Sequence, residues 1–157
     1  MSRSVRTLIA TALLTGGLLT SAALPASAHD EQRRPHRWVE IDQVQYNAPG
    51  EDRRSNHSLN SEYFTIRNNS RHGVQLRDYT VTDRDGHTYT FNRLRLRSGQ
   101  TVTVHTGFGQ DWRLHRYQDS RRHLYDNNRG QLTLRNERGW RLDQCSWNRF
   151  DRGHIGC

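Results

Sequence analysis

Arg93, Arg95 and Arg97 alternate with Leu94 and Leu96, a spacing that sets three guanidinium groups along one face of a strand. Residues 107–130 add Arg113, Arg116, Arg121, Arg122 and Arg129, His115 and His123, and the rings of Phe108, Trp112, Tyr117 and Tyr125. Only Asp111, Asp119 and Asp126 oppose that charge. Guanidinium pairs bidentately with phosphate or carboxylate and stacks on planar groups. The expected chemistry is a groove for an anionic polymer: nucleic acid, teichoic acid or another envelope polyanion. The chain holds no Lys at all. That fits a competing explanation, an Arg-rich solvated surface produced by GC-rich codons, because phosphate binding would not exclude Lys.

Other chemistries find less support. Asp83-x-Asp85-Gly86 resembles the start of a calcium loop, but the fifth position is His87 and the twelfth Leu94, so a hairpin turn explains it better. The nine His follow neither His-x-His nor His-Glu-x-x-His spacing, and there is no Gly-x-Ser-x-Gly elbow. No nucleophile–base constellation, resident metal or cofactor is expected.

The first 28 residues read as a secretory leader. Arg3 and Arg6 give the positive start, residues 8–23 are apolar and small, and Ala26-Ser27-Ala28 is a cleavage site. Cleavage leaves 129 residues (157 less 28), and the formal charge falls from +8 to +6 as Arg3 and Arg6 depart. The product is expected outside the cell. There Cys145 and Cys157, the only cysteines, should form a bridge that pins the tail to the last strand.

Leu, Ile, Val and Phe make up only 22 of those 129 residues, low enough to raise the question of disorder. Their arrangement answers it. After a polar lead at 29–37, Val39 and Ile41 alternate with acids, and Val44 and Tyr46 resume one residue late, as a bulge would require. Phe64 and Ile66, Tyr79 and Val81, Tyr89 and Phe91, Val102 and Val104, Leu132 and Leu134, and Trp140 and Leu142 continue the period of two. Asp83 to Gly86 should turn a hairpin between the second and third of these pairs. No window has helical periodicity with caps, and residues 107–130 should hold a short irregular strand or two. The expectation is an all-β sandwich over 38–157, each sheet burying one face. No mature stretch is apolar enough to span a membrane.

Several ordered motifs resemble the lamin-tail domain family. They are Tyr46-Asn47-Ala48-Pro49-Gly50 with Asp52, Ser61-Glu62-Tyr63-Phe64-Thr65-Ile66-Arg67-Asn68, and Tyr79-Thr80-Val81-Thr82-Asp83 with Gly86. Val104-His105-Thr106-Gly107 with Gly109 follows, then Asn127-Asn128-x-Gly130, Leu132-x-Leu134, Gly139 and Leu142-Asp143. The resemblance implies an immunoglobulin-like β-sandwich of about seven to nine short strands. It implies an interaction module, known in animal lamins to contact proteins and DNA and found in bacteria on exported proteins, with no catalytic residues to carry over. The reading is therefore an exported, non-catalytic binding module whose partner is a protein or an envelope polymer. The alternative makes the Arg-rich loop 107–130 a nucleic-acid or polyanion binder. A remote third reading gives His29, the amino terminus after cleavage, to copper, in the manner of the brace of lytic polysaccharide monooxygenases. The motifs are not those of that family, and a polar lead lacks the rigidity such a site needs.

Overall fold

In a computed structural model of the chain, residues 38–50 and 55–157 are described. The expected leader, the lead at 29–37 with His29, and Asp52 lie outside them. Among the described residues there are eleven strands: β1 (Val39–Gln45), β2 (Tyr63–Asn68), β3 (Val74–Gln75), β4 (Thr80–Asp83), β5 (Thr88–Thr90), β6 (Arg95–Leu96), β7 (Thr101–His105), β8 (His115–Tyr117), β9 (Arg129–Arg135), β10 (Arg141–Asn148) and β11 (His154–Gly156). One short helix, α1 (Asn56–Asn60), precedes β2. A five-stranded sheet runs β11-β1-β2-β7-β8 and a four-stranded sheet runs β10-β9-β4-β5, with β3 and β6 paired separately.

The period of two becomes burial. Ile41, Val44, Phe64, Ile66, Val102 and Val104 from the first sheet meet Val81, Leu132, Leu134, Cys145 and Trp147 from the second. In β1 the register shifts between Ile41 and Gln43, the expected bulge, so that Ile41 and Val44 both face inward. The β4–β5 hairpin pairs Val81 with Tyr89, and β9 with β10 forms the closing hairpin. Eleven strands exceed the seven to nine expected because β3, β6, β8 and β11 have two or three residues each, too few to display alternation.

Helix α1 was not expected. Its N-cap Ser55 accepts the backbone N–H of Ser58. Asn56 and Asn60 then clamp the chain opposite: both side-chain amides donate to the Phe108 carbonyl at 2.9 Å, and Asn56 Oδ1 accepts the Phe108 N–H at 2.7 Å. A side chain on Gly107 would press into both amides, which accounts for glycine there.

The disulfide between Cys145 and Cys157 forms as expected, with Cα atoms 5.7 Å apart. It joins β10, at the edge of one sheet, to the residue after β11, at the edge of the other. The bond therefore closes one open side of the sandwich, beside the hydrogen bond from the Ile41 N–H to Asp143 Oδ2. Closing a loop of this length should contribute about 3 kcal/mol through the entropy of the unfolded chain. Reduction, or Cys145→Ala with Cys157→Ala, should lower the melting temperature by about 10 °C. An unchanged calorimetric melt under strong reductant would contradict this role.

Candidate functional site

Strand β8 lies parallel to β7, with Thr103 level with His115 and His105 level with Tyr117. A tight turn at Trp112–His115 feeds it, closed by Trp112 N–H to His115 O at 3.2 Å and His115 N–H to Trp112 O at 2.9 Å. Arg113 sits inside that turn at φ 50°, a left-handed conformation that costs a non-glycine residue about 1 kcal/mol. Its guanidinium lies 4.2 Å from the centroid of Trp112, a ring left 62% exposed.

Arg116 behaves differently. Its Nη1 donates to the carbonyls of Arg113 and His115 at 3.1 and 2.7 Å, and its Nε faces Asp111 at 3.5 Å. Its charge is committed to holding the turn. Tyr117 is half-buried and stacks on His105 at 5.1 Å. Arg121, Arg122 and Arg129 are exposed, and Arg122 reaches His87 at the β4–β5 turn, 3.3 Å away.

Arg93, Arg95 and Arg97 are exposed while Leu94 and Leu96 are buried, so the expected alternation is present. The strand beneath them is short, and it pairs with β3 rather than with β8. Arg95 packs its guanidinium against Gly73, where an added Cβ would meet Nε at 2.8 Å. Among the described residues no hydrogen bond or ion pair joins this trio to the loop arginines, and Arg95 lies on the β3–β6 pair while Arg116 and Arg129 lie on strands of the two larger sheets.

A cavity of about 190 Å³ opens between the β4–β5 turn and the start of β9, lined by Asp83, Asp85, Tyr125, Asp126, Arg129 and Trp147. Two of these three carboxylates, Asp83 and Asp126, are engaged. Asp83 accepts the N–H groups of Asp85 and His87 and holds the His87 ring at 2.7 Å. Asp126 accepts those of Asn128 and Arg129, and the Asn128 N–H chiefly holds its carboxyl below the ordinary value. These acids shape turns.

Two clusters escaped sequence reasoning. In the first, Glu62 is 1% exposed and accepts Thr106 Oγ1–H at 2.8 Å and the Leu124 N–H at 2.7 Å through Oε1. Its Oε2 faces His123 Nδ1 at 3.3 Å, and His123 Nε2 stands 3.4 Å from Ser58 Oγ. Hydroxyl, imidazole and carboxylate follow the order of a hydrolytic relay. Ser58 is itself buried, however, at 8% exposure, and Glu62 serves as an internal terminus for the loop backbone. Burial pushes its carboxyl above the ordinary value of 4.5, against the pull of the Leu124 N–H, Thr106, His123 and the Tyr125 N–H. Glu62 lies 61 residues from His123, a separation that no local pattern reveals.

The second cluster is a half-exposed ring stack on β7 and β8. His105 and His115 stack at 5.3 Å, with Tyr117 on His105 and Tyr63 edge-on to it at 6.0 Å. Burial, aided by His115, holds the His105 imidazole below its ordinary value against the opposing pull of the Asn60 carbonyl.

The fold and these surfaces define a class: an immunoglobulin-like β-sandwich with aromatic and guanidinium groups at its edges. The Lamin Tail Domain family model matches residues 32–149. This chain belongs to that family, a non-catalytic domain of the protein-interaction type. No curated protein matches it. Among solved structures it is similar to a Bacteroides uniformis beta-glucuronidase 2 covalently bound to cyclophellitol-6-carboxylate aziridine, at 17% identity and a TM-score of 0.27. That match covers 69% of this chain and 12% of the other. A likeness so weak carries no argument about activity. No helix among the described residues is long and apolar enough to cross a membrane.

Proposed function

We propose that this chain is an exported, non-catalytic interaction module that docks a protein or envelope polymer through the turn carrying Trp112 and Arg113. One observation carries the reading: a strained arginine lies over a largely exposed tryptophan at the tip of a turn pinned by Arg116. Trp and Arg are the residues that dominate binding energy at interfaces, and a pinned ring loses little entropy on docking. Two similar pairs stand elsewhere, Arg138 over Trp140 and Arg149 over Phe150, rings exposed at 65% and 75%. The disulfide fits an oxidising compartment and so supports the export element.

The test compares envelope fractions captured by wild type with those captured by Trp112→Ala and by Arg113→Gly. Both variants should keep the melting temperature within a few degrees, since neither side chain enters the core. Each should lose at least about 1 kcal/mol of docking energy, roughly fivefold in affinity. Capture that survives both substitutions would refute the reading.

Exposed Arg113, Arg121, Arg122 and Arg129 favour a second reading, polyanion binding by the loop. Affinity for short DNA should then fall steeply with salt, and charge reversal at Arg121 and Arg122 should reduce both affinity and salt slope. Absence of binding at about 50 mM salt would end that reading.

A further inference from the structure

We propose that the end of the sandwich carrying Trp38 and Trp140 seats on an anionic phospholipid surface. Strands β1 and β10 run in step: the Ile41 N–H donates to Asp143 Oδ2 at 2.9 Å, and further along Tyr46 stacks on Trp147. Trp38 lies three residues before Ile41 and Trp140 three before Asp143, so both stand beyond the same end of these strands. Their rings are 57% and 65% exposed. Both are held by their backbones. The Trp38 carbonyl accepts the Asn69 N–H at 2.8 Å. In the β9–β10 turn, Asn136 Oδ1 accepts the N–H groups of Arg138 and Trp140 at 3.0 and 2.9 Å. Indole joins an apolar body to a single N–H, and it concentrates at the boundary between headgroups and acyl chains.

Charge is divided unequally between the two ends. Strand register brings the end of β2, the start of β7, the start of β4 and the end of β5 to the Trp38 end: Val39 pairs with Asn68, Arg67 with Thr101, and Thr80 with both Thr90 and Arg135. Besides the Trp112 turn, the segments closing this end are 69–73, 76–79, 91–94, 97–100 and 135–141. They hold seven exposed arginines against two acids, Asp78 and Glu137. At the opposite end, residues 55–62, 84–87, 118–128 and 149–153 hold five arginines and five acids. The positive charge of the described residues is therefore concentrated around the two tryptophans. The chain also enters β1 at this end, and residues 33–37, Arg-Arg-Pro-His-Arg, add three arginines in sequence shortly before Trp38.

An anionic bilayer fits this division. Guanidinium groups near its surface are attracted through the screened field of the headgroups, and their stems cover apolar area while the charges stay in water. Two rings on separate turns, Arg138 lying over one of them, offer points of insertion into a laterally fluid surface. A nucleic acid would ask instead for a groove along which bases stack. The surface is separate from the docking turn, since Trp112 precedes β8, three strands from β1 across the first sheet.

The experiment is vesicle flotation of the chain from His29 onward, the form that cleavage leaves, so that the apolar leader cannot itself partition. The vesicles are phosphatidylcholine with or without about 30% phosphatidylglycerol, at about 50 mM salt. The protein should float with the anionic vesicles, stay behind with the neutral ones, and be released as salt rises. Brominated lipid should quench its tryptophan fluorescence in the bound state. Trp38→Ala and Trp140→Ala should each weaken partition by about fivefold, and Arg138→Glu with Arg141→Glu by about tenfold. All should melt near the wild-type temperature, because these side chains are exposed. Trp112→Ala should leave partition unchanged, which separates this proposal from docking at that turn. Absence of flotation with anionic vesicles would overturn the proposal, as would partition unaltered by both tryptophan substitutions. Tighter binding of short duplex DNA, lost in the same variants, would assign this end to nucleic acid instead.

Discussion

Replacing Glu62 with Ala should cost about 3–5 kcal/mol, the scale found when one partner of a buried charged group is deleted. The cost comes from what is left behind. The Leu124 N–H and the Thr106 hydroxyl lose their acceptor, each at about 1–3 kcal/mol, and His123 loses the carboxylate that orients it. Denaturant midpoints report the loss directly. Glu62→Gln should cost less, because the amide oxygen keeps one acceptor in place.

The same pair of proteins tests the ionisation. A carboxyl whose folded value is raised binds more protons in the folded than in the unfolded state. Its contribution is complete below 4.5 and is lost as pH climbs from there through the folded value. Since Gln does not titrate, the stability gap between wild type and Glu62→Gln should narrow as pH rises above 4.5. A widening gap would mean that His123, rather than burial, governs the carboxyl.

Trp147→Ala should be comparably severe, about 3–5 kcal/mol. Trp147 stacks on Tyr46 at 5.1 Å, meets Tyr125 edge-on at 5.8 Å, and donates its indole N–H to the Asp126 carbonyl at 2.8 Å. Tyr46 in turn accepts the Gly153 N–H through its hydroxyl at 2.8 Å, which anchors the approach to β11. One ring therefore holds the loop before β9, the end of β1 and the C-terminal turn together. Gly130 belongs to the same assembly, for any Cβ there would enter the indole. Gly130→Ala should be destabilising too, and a melt at the wild-type temperature for either variant would contradict this role.

What the sequence made legible follows from the range of the interactions involved. The β1 bulge, the β4–β5 and β9–β10 hairpins and most of the inward set are local patterns of period two, so alternation and turn residues suffice to read them. The last pair is a correction: the register shifts between Arg141 and Asp143, so β10 buries Cys145 and Trp147 while Trp140, expected to point inward with Leu142, is 65% exposed. The disulfide needed only two cysteines and the expectation of an oxidising compartment. Helix α1 escaped because five residues are too few for a 3.6-residue period to register. Strand β8 lies within 107–130, where a short irregular strand was expected, but its bounds and pairing were not legible because its partner β7 is parallel to it, and short parallel pairing leaves no hairpin signal.

The candidate site was legible in part. Arg113 and Trp112 lie where an Arg-rich, aromatic loop placed them, on the exterior. Composition could not separate them from Arg116, whose donors are absorbed by carbonyls of its own turn. Nor could it divide the Arg93–Arg95–Arg97 trio from the loop, since that division depends on which sheet each strand joins. The His105–His115 pair requires β7 and β8 side by side, and Glu62 requires α1, β7 and the loop at 123–125 to converge.

The most direct measurement is site-specific photo-crosslinking in envelope fractions, with a photoreactive phenylalanine at position 112 and, as control, at exposed position 92. Docking through the turn predicts discrete adducts from position 112 that disappear with Arg113→Gly and are absent from position 92. Equal labelling from both positions, or none from 112, would contradict it.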